Sequence, residues 1–116
     1  MIIGSVLVLV SHLIIGFAPG LPIFGYIGLG ILGIGYSLVP AAMWPTVPKI
    51  IKEKNLGTAY SLIYWIQNMG MLLVPIVVGQ IFIKTTAAVA DPSVAALKSA
   101  INAEYFFVGL SLVAIA

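Results

Sequence analysis

Apolar residues run almost unbroken from Met1 to Pro48 and again from Asn55 to Ile83, and neither stretch contains an Asp, Glu, Lys or Arg. About 20 such residues are enough to cross a bilayer, and a charge at its centre is costly. The pattern predicts an all-α integral membrane chain, one membrane domain over 1–116, with four transmembrane helices at about 2–18, 23–48, 56–83 and 103–116. Pro19, Gly20, Leu21 and Pro22 mark a tight turn between the first two. Residues 49–55 form a compact charged loop, and 84–102 a more polar connector. Within that connector Asp91 reads as a helix N-cap followed by Pro92 at the first helical position. Val94, Leu97 and Ile101 then recur at helical spacing, which predicts a short interfacial helix.

The last segment is short. The uncharged residues after Glu104 rise only about 18 Å against a hydrocarbon core of about 30 Å. The first begins at residue 1 without a flanking anchor. Both ends suggest a piece of a larger transporter, with Met1 as an internal start. Orientation follows from the lysines. Lys49, Lys52 and Lys54 outweigh Glu53, so loop 49–55 is assigned to the cytoplasm. The Pro19 turn and connector 84–102 then face outward.

Composition supports the membrane assignment. The chain is 62% hydrophobic and 7% charged, where soluble domains carry roughly 25% charged residues. A core of this size has no room for so much apolar side chain, so lipid is the solvent. A net charge of +2, without a basic run interleaved with aromatics, argues against nucleic acid as a partner. There is no Cys, which excludes disulfides and thiolate metal sites. No basic stretch precedes the first apolar run, so no cleavable signal peptide is expected.

The third segment carries the most informative polar pattern. At 100° per residue with Tyr60 at zero, Gln67, Met71, Tyr64, Gly57, Pro75 and Asn68 fall between about −20° and 80°. Gln67 and Asn68 lie roughly 18–20 Å from Asn55, near mid-membrane. Polar groups at that depth face a bundle interior or a cavity. Interhelical hydrogen bonding and the lining of a solute path are both open readings, and the two tyrosines favour the path. Trp65, at about 140°, is read as helix packing.

In the second segment Pro40, Pro45 and Pro48 release the carbonyls of Tyr36, Ala41 and Trp44, which need other partners in lipid. The stretch is either a kinked helix end with Trp44 at the interface or a broken end lining a substrate path. Gly25, Gly28, Gly30, Gly33 and Gly35 suggest close helix packing, with a flexible gate as the alternative. His12 is the one ionisable group in the first three segments. It suits a hydrogen bond to a neighbouring helix, or a proton relay. No carboxylate is assigned to the membrane interior, Glu104 being placed at the start of the fourth segment. No catalytic pair, metal-ligand spacing or phosphate-binding glycine motif assembles, so neither an enzyme nor a cofactor is expected.

Two runs carry a family resemblance. Residues 35–48 (Gly-Tyr-Ser-Leu-Val-Pro-Ala-Ala-Met-Trp-Pro-Thr-Val-Pro) lead through the lysine loop into Leu56, Gly57, Thr58, Ala59, Tyr60 and Ser61. Ile66, Gln67, Asn68, Met69 and Gly70 follow. These residues resemble the last third of a major facilitator superfamily transporter, in the branch that contains the lysosomal dipeptide uniporter and its bacterial relatives. The resemblance implies helices nine to twelve of a twelve-helix fold, with the tenth lining the central cavity and the eleventh bordering it. It implies alternating access, with a small organic solute, dipeptides among the candidates, and the absent N-terminal helices as partners. Tyr36, Trp44, Tyr60, Tyr64, Gln67 and Asn68 are the substrate-cavity candidates. Pro40, Pro45, Pro48 and Pro75 are the hinge or gate candidates. The location implied is a lysosomal membrane in a eukaryote, or the plasma or inner membrane in a bacterium. Fold does not dictate cargo. Two further readings are a small four-helix multidrug exporter, weakened by the lack of a Glu in the first segment, and a non-transporting membrane scaffold subunit.

Overall fold

The computed structural model describes residues 2–17 and 21–116. It contains four α-helices: α1 (Ile2–Phe17), α2 (Pro22–Ile50), α3 (Leu56–Ala88) and α4 (Pro92–Ile115), with a short 3-10 turn at Glu53–Asn55 ahead of α3. The predicted turn at 19–22 falls mostly outside the described residues. Its last residue, Pro22, opens α2 at a position where the missing N–H costs nothing.

The stretches Pro22–Ile50, Glu53–Ala88 and Pro92–Ile115 are long and apolar enough to cross a membrane. The 16 residues of α1 rise about 24 Å, less than the hydrocarbon thickness. The molecule measures 58 × 27 × 21 Å with a radius of gyration of 17.2 Å, where a compact soluble chain of this length would be near 13 Å. Large apolar side chains stand exposed along every helix, among them Tyr26, Ile34, Leu72 and Val113. A surface of this kind needs lipid or further protein around it. The chain is an integral membrane protein built of α-helices.

Small residues hold the bundle together. The buried positions are Gly4, Ser11, His12 and Gly16 on α1, Gly28 and Gly35 on α2, and Ala95, Ser99, Ala103 and Ser111 on α4. Lipid provides no hydrophobic drive between helices, so close backbone approach and interhelical hydrogen bonds take its place. The buried hydroxyls are satisfied inside their own helices: Ser11 donates to the Val8 carbonyl, Ser99 to Ala95 and Ser111 to Phe107. The five α2 glycines divide by role. A Cβ on Gly35 would stand 3.0 Å from Leu7 Cβ and 3.1 Å from the Gly4 carbonyl oxygen, and one on Gly28 would collide with Ile15. Around Gly25, Gly30 and Gly33 there is open space. Close packing therefore accounts for two of the five.

In space the helices follow the order α3, α4, α1, α2. α1 packs on α2 and α4, and α3 packs on α4, while α2 and α3 barely meet. The row of Val74, Val78, Ile81 and Thr85 is the half-buried side of α3, and Asn102 of α4 donates to Thr85 Oγ1 at 3.1 Å.

The observed helix ends differ from those expected. α3 continues to Ala88, and α4 runs without a break from Pro92 to Ile115. The connector expected over 84–102 shrinks to three residues, and its interfacial helix is the first half of α4. Nothing between Pro92 and Ile115 stops a helix, and the small buried stripe from Ala95 to Ser111 runs straight through Glu104. That charge marked a boundary in the sequence only because its partner was not visible.

Asp91 caps α4 as expected. Its carboxylate accepts from the Ser93 hydroxyl at 2.6 Å and from the backbone N–H groups of Ser93 and Val94 at 2.8 and 3.2 Å. The Ser93 hydroxyl, then the Val94 and Ser93 amides, hold its pKa below the ordinary carboxylate value. A depressed folded-state pKa contributes stability above the unfolded value and loses it as pH falls through the folded one. Amide exchange at Ser93 and Val94, corrected for intrinsic rates, is therefore expected to accelerate as pH drops below the normal aspartate range. In Asp91→Ala that pH dependence is expected to disappear. An acid-independent exchange rate in the unsubstituted chain would contradict the cap.

Candidate functional site: a cavity between two helices

α2 and α3 barely meet beyond the lysine loop and leave a cavity of about 400 Å³, lined mainly by Tyr36, Pro40, Met43, Trp44, Ile63, Ile66 and Gln67, with Val39 of α2 and Val8 of α1 completing it. One lining residue, Trp44, packs against two aromatic rings of α3. Trp44 lies 5.5 Å from Tyr60 and 5.1 Å from Tyr64, centroid to centroid, tilted by 35° and 38°. Such offset, tilted pairs suit ring quadrupoles. The two tyrosines reach the same indole because residues four apart share a helix face.

Backbone chemistry at the proline cluster supports this joint. α2 stays helical through Pro40, Pro45 and Pro48, so its end is not broken. Pro48 has no N–H for the Trp44 carbonyl, and the Tyr60 hydroxyl of α3 approaches that oxygen at 3.5 Å, at the long limit for a hydrogen bond. The Thr46 hydroxyl donates to Ala42 at 2.7 Å. The carbonyl released by proline is thus met by a side chain from the facing helix, as lipid requires.

Of the six cavity candidates, Tyr36, Trp44 and Gln67 line the cavity, and Tyr60 and Tyr64 pack against Trp44. Asn68 is exposed and away from the lining. The half-buried face of α3 centres on Tyr60, Ile63, Val78 and Thr85, some tens of degrees from the centre of the predicted stripe, which carries Asn68 and Met71 to its outer flank. Among the prolines, Pro40 borders the cavity, Pro45 and Pro48 lie in the last turns of α2, and Pro75 sits within α3. Trp65, expected to pack between helices, is 63% exposed, because it points away from α2 and α4 alike.

A second polar cluster was not foreseen. His12 Nδ1 of α1 stands 2.7 Å from Glu104 Oε2 of α4, with side chains only 11% and 20% exposed. With the carboxylate ionised, Nδ1–H is the donor. The imidazole stacks on Phe107, centroids 4.9 Å apart at 14°. Gly16 clears room beside it, since a Cβ there would lie 3.2 Å from Glu104 Cβ. Of the two uses considered for His12, this is the bond to a neighbouring helix. The absence of an embedded carboxylate is corrected: Glu104 is inside α4. His12 as the lone histidine in an apolar run, and Glu104 as a lone carboxylate beside one, were the available sequence signals, yet neither identifies the other. Among the described residues no three His, Cys, Asp or Glu side chains gather as a metal site would require.

Comparison with known proteins points to transporters. The chain is 40% identical over 73 residues to the lysosomal dipeptide transporter MFSD1 of Homo sapiens. It is 41% identical over 73 residues to the Mus musculus protein of that name and 38% to that of Danio rerio. The match takes in 63% of this chain and 15% of each relative's length, so the matched stretch is well under a fifth of these proteins. No family model matches it. No solved structure matches it either. The relatives are transporters and not enzymes. With its four helices and their lipid-compatible surfaces, this chain is an all-α membrane protein that resembles the lysosomal dipeptide transporter branch of the major facilitator superfamily.

Proposed function

We propose that this sequence forms one wall of the solute path in a transporter that works by alternating access. The observation that carries the reading is the cavity between α2 and α3, where Tyr36, Trp44 and Gln67 converge at membrane depth beside the proline-rich end of α2. Solute sites in such transporters lie near the midplane, between elements that move against each other. α2 and α3 are joined chiefly by the aromatic contact at the loop and diverge beyond it, an arrangement suited to opening and closing. Pro40, Pro45, Pro48 and Pro75 are the positions where each helix lacks an N–H and bends most cheaply. Because the relatives are dipeptide transporters, a small organic solute such as a dipeptide is the cargo we infer. The lysosomal membrane is the inferred location if the source is a eukaryote.

The exposed flanks of α2 and α3 are read as seats for further helices of a longer transporter. Four helices make one wall, so the chain by itself is expected not to transport. In a transport-competent protein that contains this sequence, Gln67→Ala is expected to lower uptake about three- to tenfold, as the loss of one solute hydrogen bond would. Tyr64→Ala is expected to lower it as well, through Trp44, with membrane expression unchanged in both. Full uptake in both variants would remove the cavity assignment.

A further inference from the structure

Resting on that reading, we infer that the α2–α3 wall is a subsite for an uncharged, apolar side group of the solute, and that the solute's charged groups are held elsewhere. No residue lining the cavity carries a charge: those with polar side-chain groups are Tyr36, Trp44 and Gln67, and the rest are Pro40, Met43, Ile63, Ile66 and two valines. The lysines nearest in sequence, Lys49, Lys52 and Lys54, follow Trp44 along the chain, in the last turn of α2 and past it, and none is among the lining residues.

The balance of energies favours an apolar guest. Burying an ion without a partner costs far more than an amide or a phenol repays, whereas apolar surface gains on leaving water. A volume of about 400 Å³ is the size of a small-molecule subsite. Gln67 offers both a donor and an acceptor, enough to orient a neutral amide or hydroxyl at the edge of such a guest. The aromatic trio is the one feature that suits a cation, but Trp44 already has both tyrosines packed against it.

The test uses the full chain in lipid nanodiscs with Trp65→Phe, which leaves Trp44 as the single indole. N-acetyl-4-bromophenylalanine amide is the probe, because bromine quenches a ring it touches. Saturable quenching is expected. N-acetyl-phenylalanine amide and N-acetyl-leucine amide should compete at least about tenfold better than the glutamate and lysine amides, as burial of an unpaired charge demands. Ile66→Phe, which fills the wall without altering charge, should weaken the probe while helicity is retained. If the glutamate amide competes as well as the phenylalanine amide, the apolar subsite is overturned while the cavity stands. If the lysine amide competes best, the trio is a cation site and the inference fails. If quenching rises linearly with probe and never saturates, it reports lipid partitioning, and both the subsite and the cavity reading fall.

Discussion

Replacing His12 with leucine is expected to loosen α1 from α4 more than any other single change here, by about 3–5 kcal/mol. The substitution leaves the Glu104 carboxylate in a largely enclosed site without its partner, and an unpaired buried charge is worse than no charge. Glu104→Gln should cost less, since its amide oxygen still accepts from Nδ1–H. Leucine at both positions should recover most of the loss, because apolar replacement of a buried pair is often neutral. Unfolding by SDS titration, monitored by a label pair on α1 and α4, measures these chains, and Glu104→Leu measured beside them closes the double-mutant cycle. A His12→Leu chain as resistant as the unsubstituted one would show that the pair contributes nothing to the bundle. The 2.7 Å separation and the flat stack on Phe107 argue for a large coupling.

The glycines of α2 should split in sign. Gly35→Ala puts a methyl group 3.0 Å from Leu7 Cβ and 3.1 Å from both the Gly4 carbonyl oxygen and the Val8 amide nitrogen. Two of those neighbours are backbone, so α1 must move away, at a cost of about 1–3 kcal/mol. Gly30→Ala and Gly33→Ala meet nothing within 4 Å. They should stabilise the isolated chain by about 0.5–1 kcal/mol each, the helix preference of alanine over glycine. The same SDS titration reads both. Equal effects at positions 30, 33 and 35 would mean that α1 and α2 do not meet at Gly35. In a longer transporter a loss of function at Gly30 or Gly33, without a loss of stability in the isolated chain, would identify the face that another helix covers.

Much of the architecture is legible before any coordinate is known, and the reason is that membrane constraints are local. A helix must satisfy its own backbone in lipid, so the charge-free runs delimit α2 and most of α3. Asp91 followed by Pro92 announces the start of α4 because capping is a matter of adjacent residues. Pro48 announces an orphaned carbonyl at Trp44 for the same reason, and the helical wheel brings Tyr60 and Gln67 to one face. The wheel could not say where that face is centred, since its orientation depends on α4. Asn68, grouped with the cavity on the wheel, is not among the residues that line it.

By itself, the sequence determined that the chain is helical and lipid-embedded, where most helices begin, and that α2 ends in prolines facing an aromatic stripe, because each follows from neighbours along the chain. Tertiary structure alone decided that Glu104 meets His12 across 92 positions, that α4 therefore continues as one helix, and which glycines touch another backbone. The physical reason is that a charge or a missing side chain has no fixed meaning until the group opposite it is known. An unpaired carboxylate ends a membrane helix, and a paired one can sit inside it.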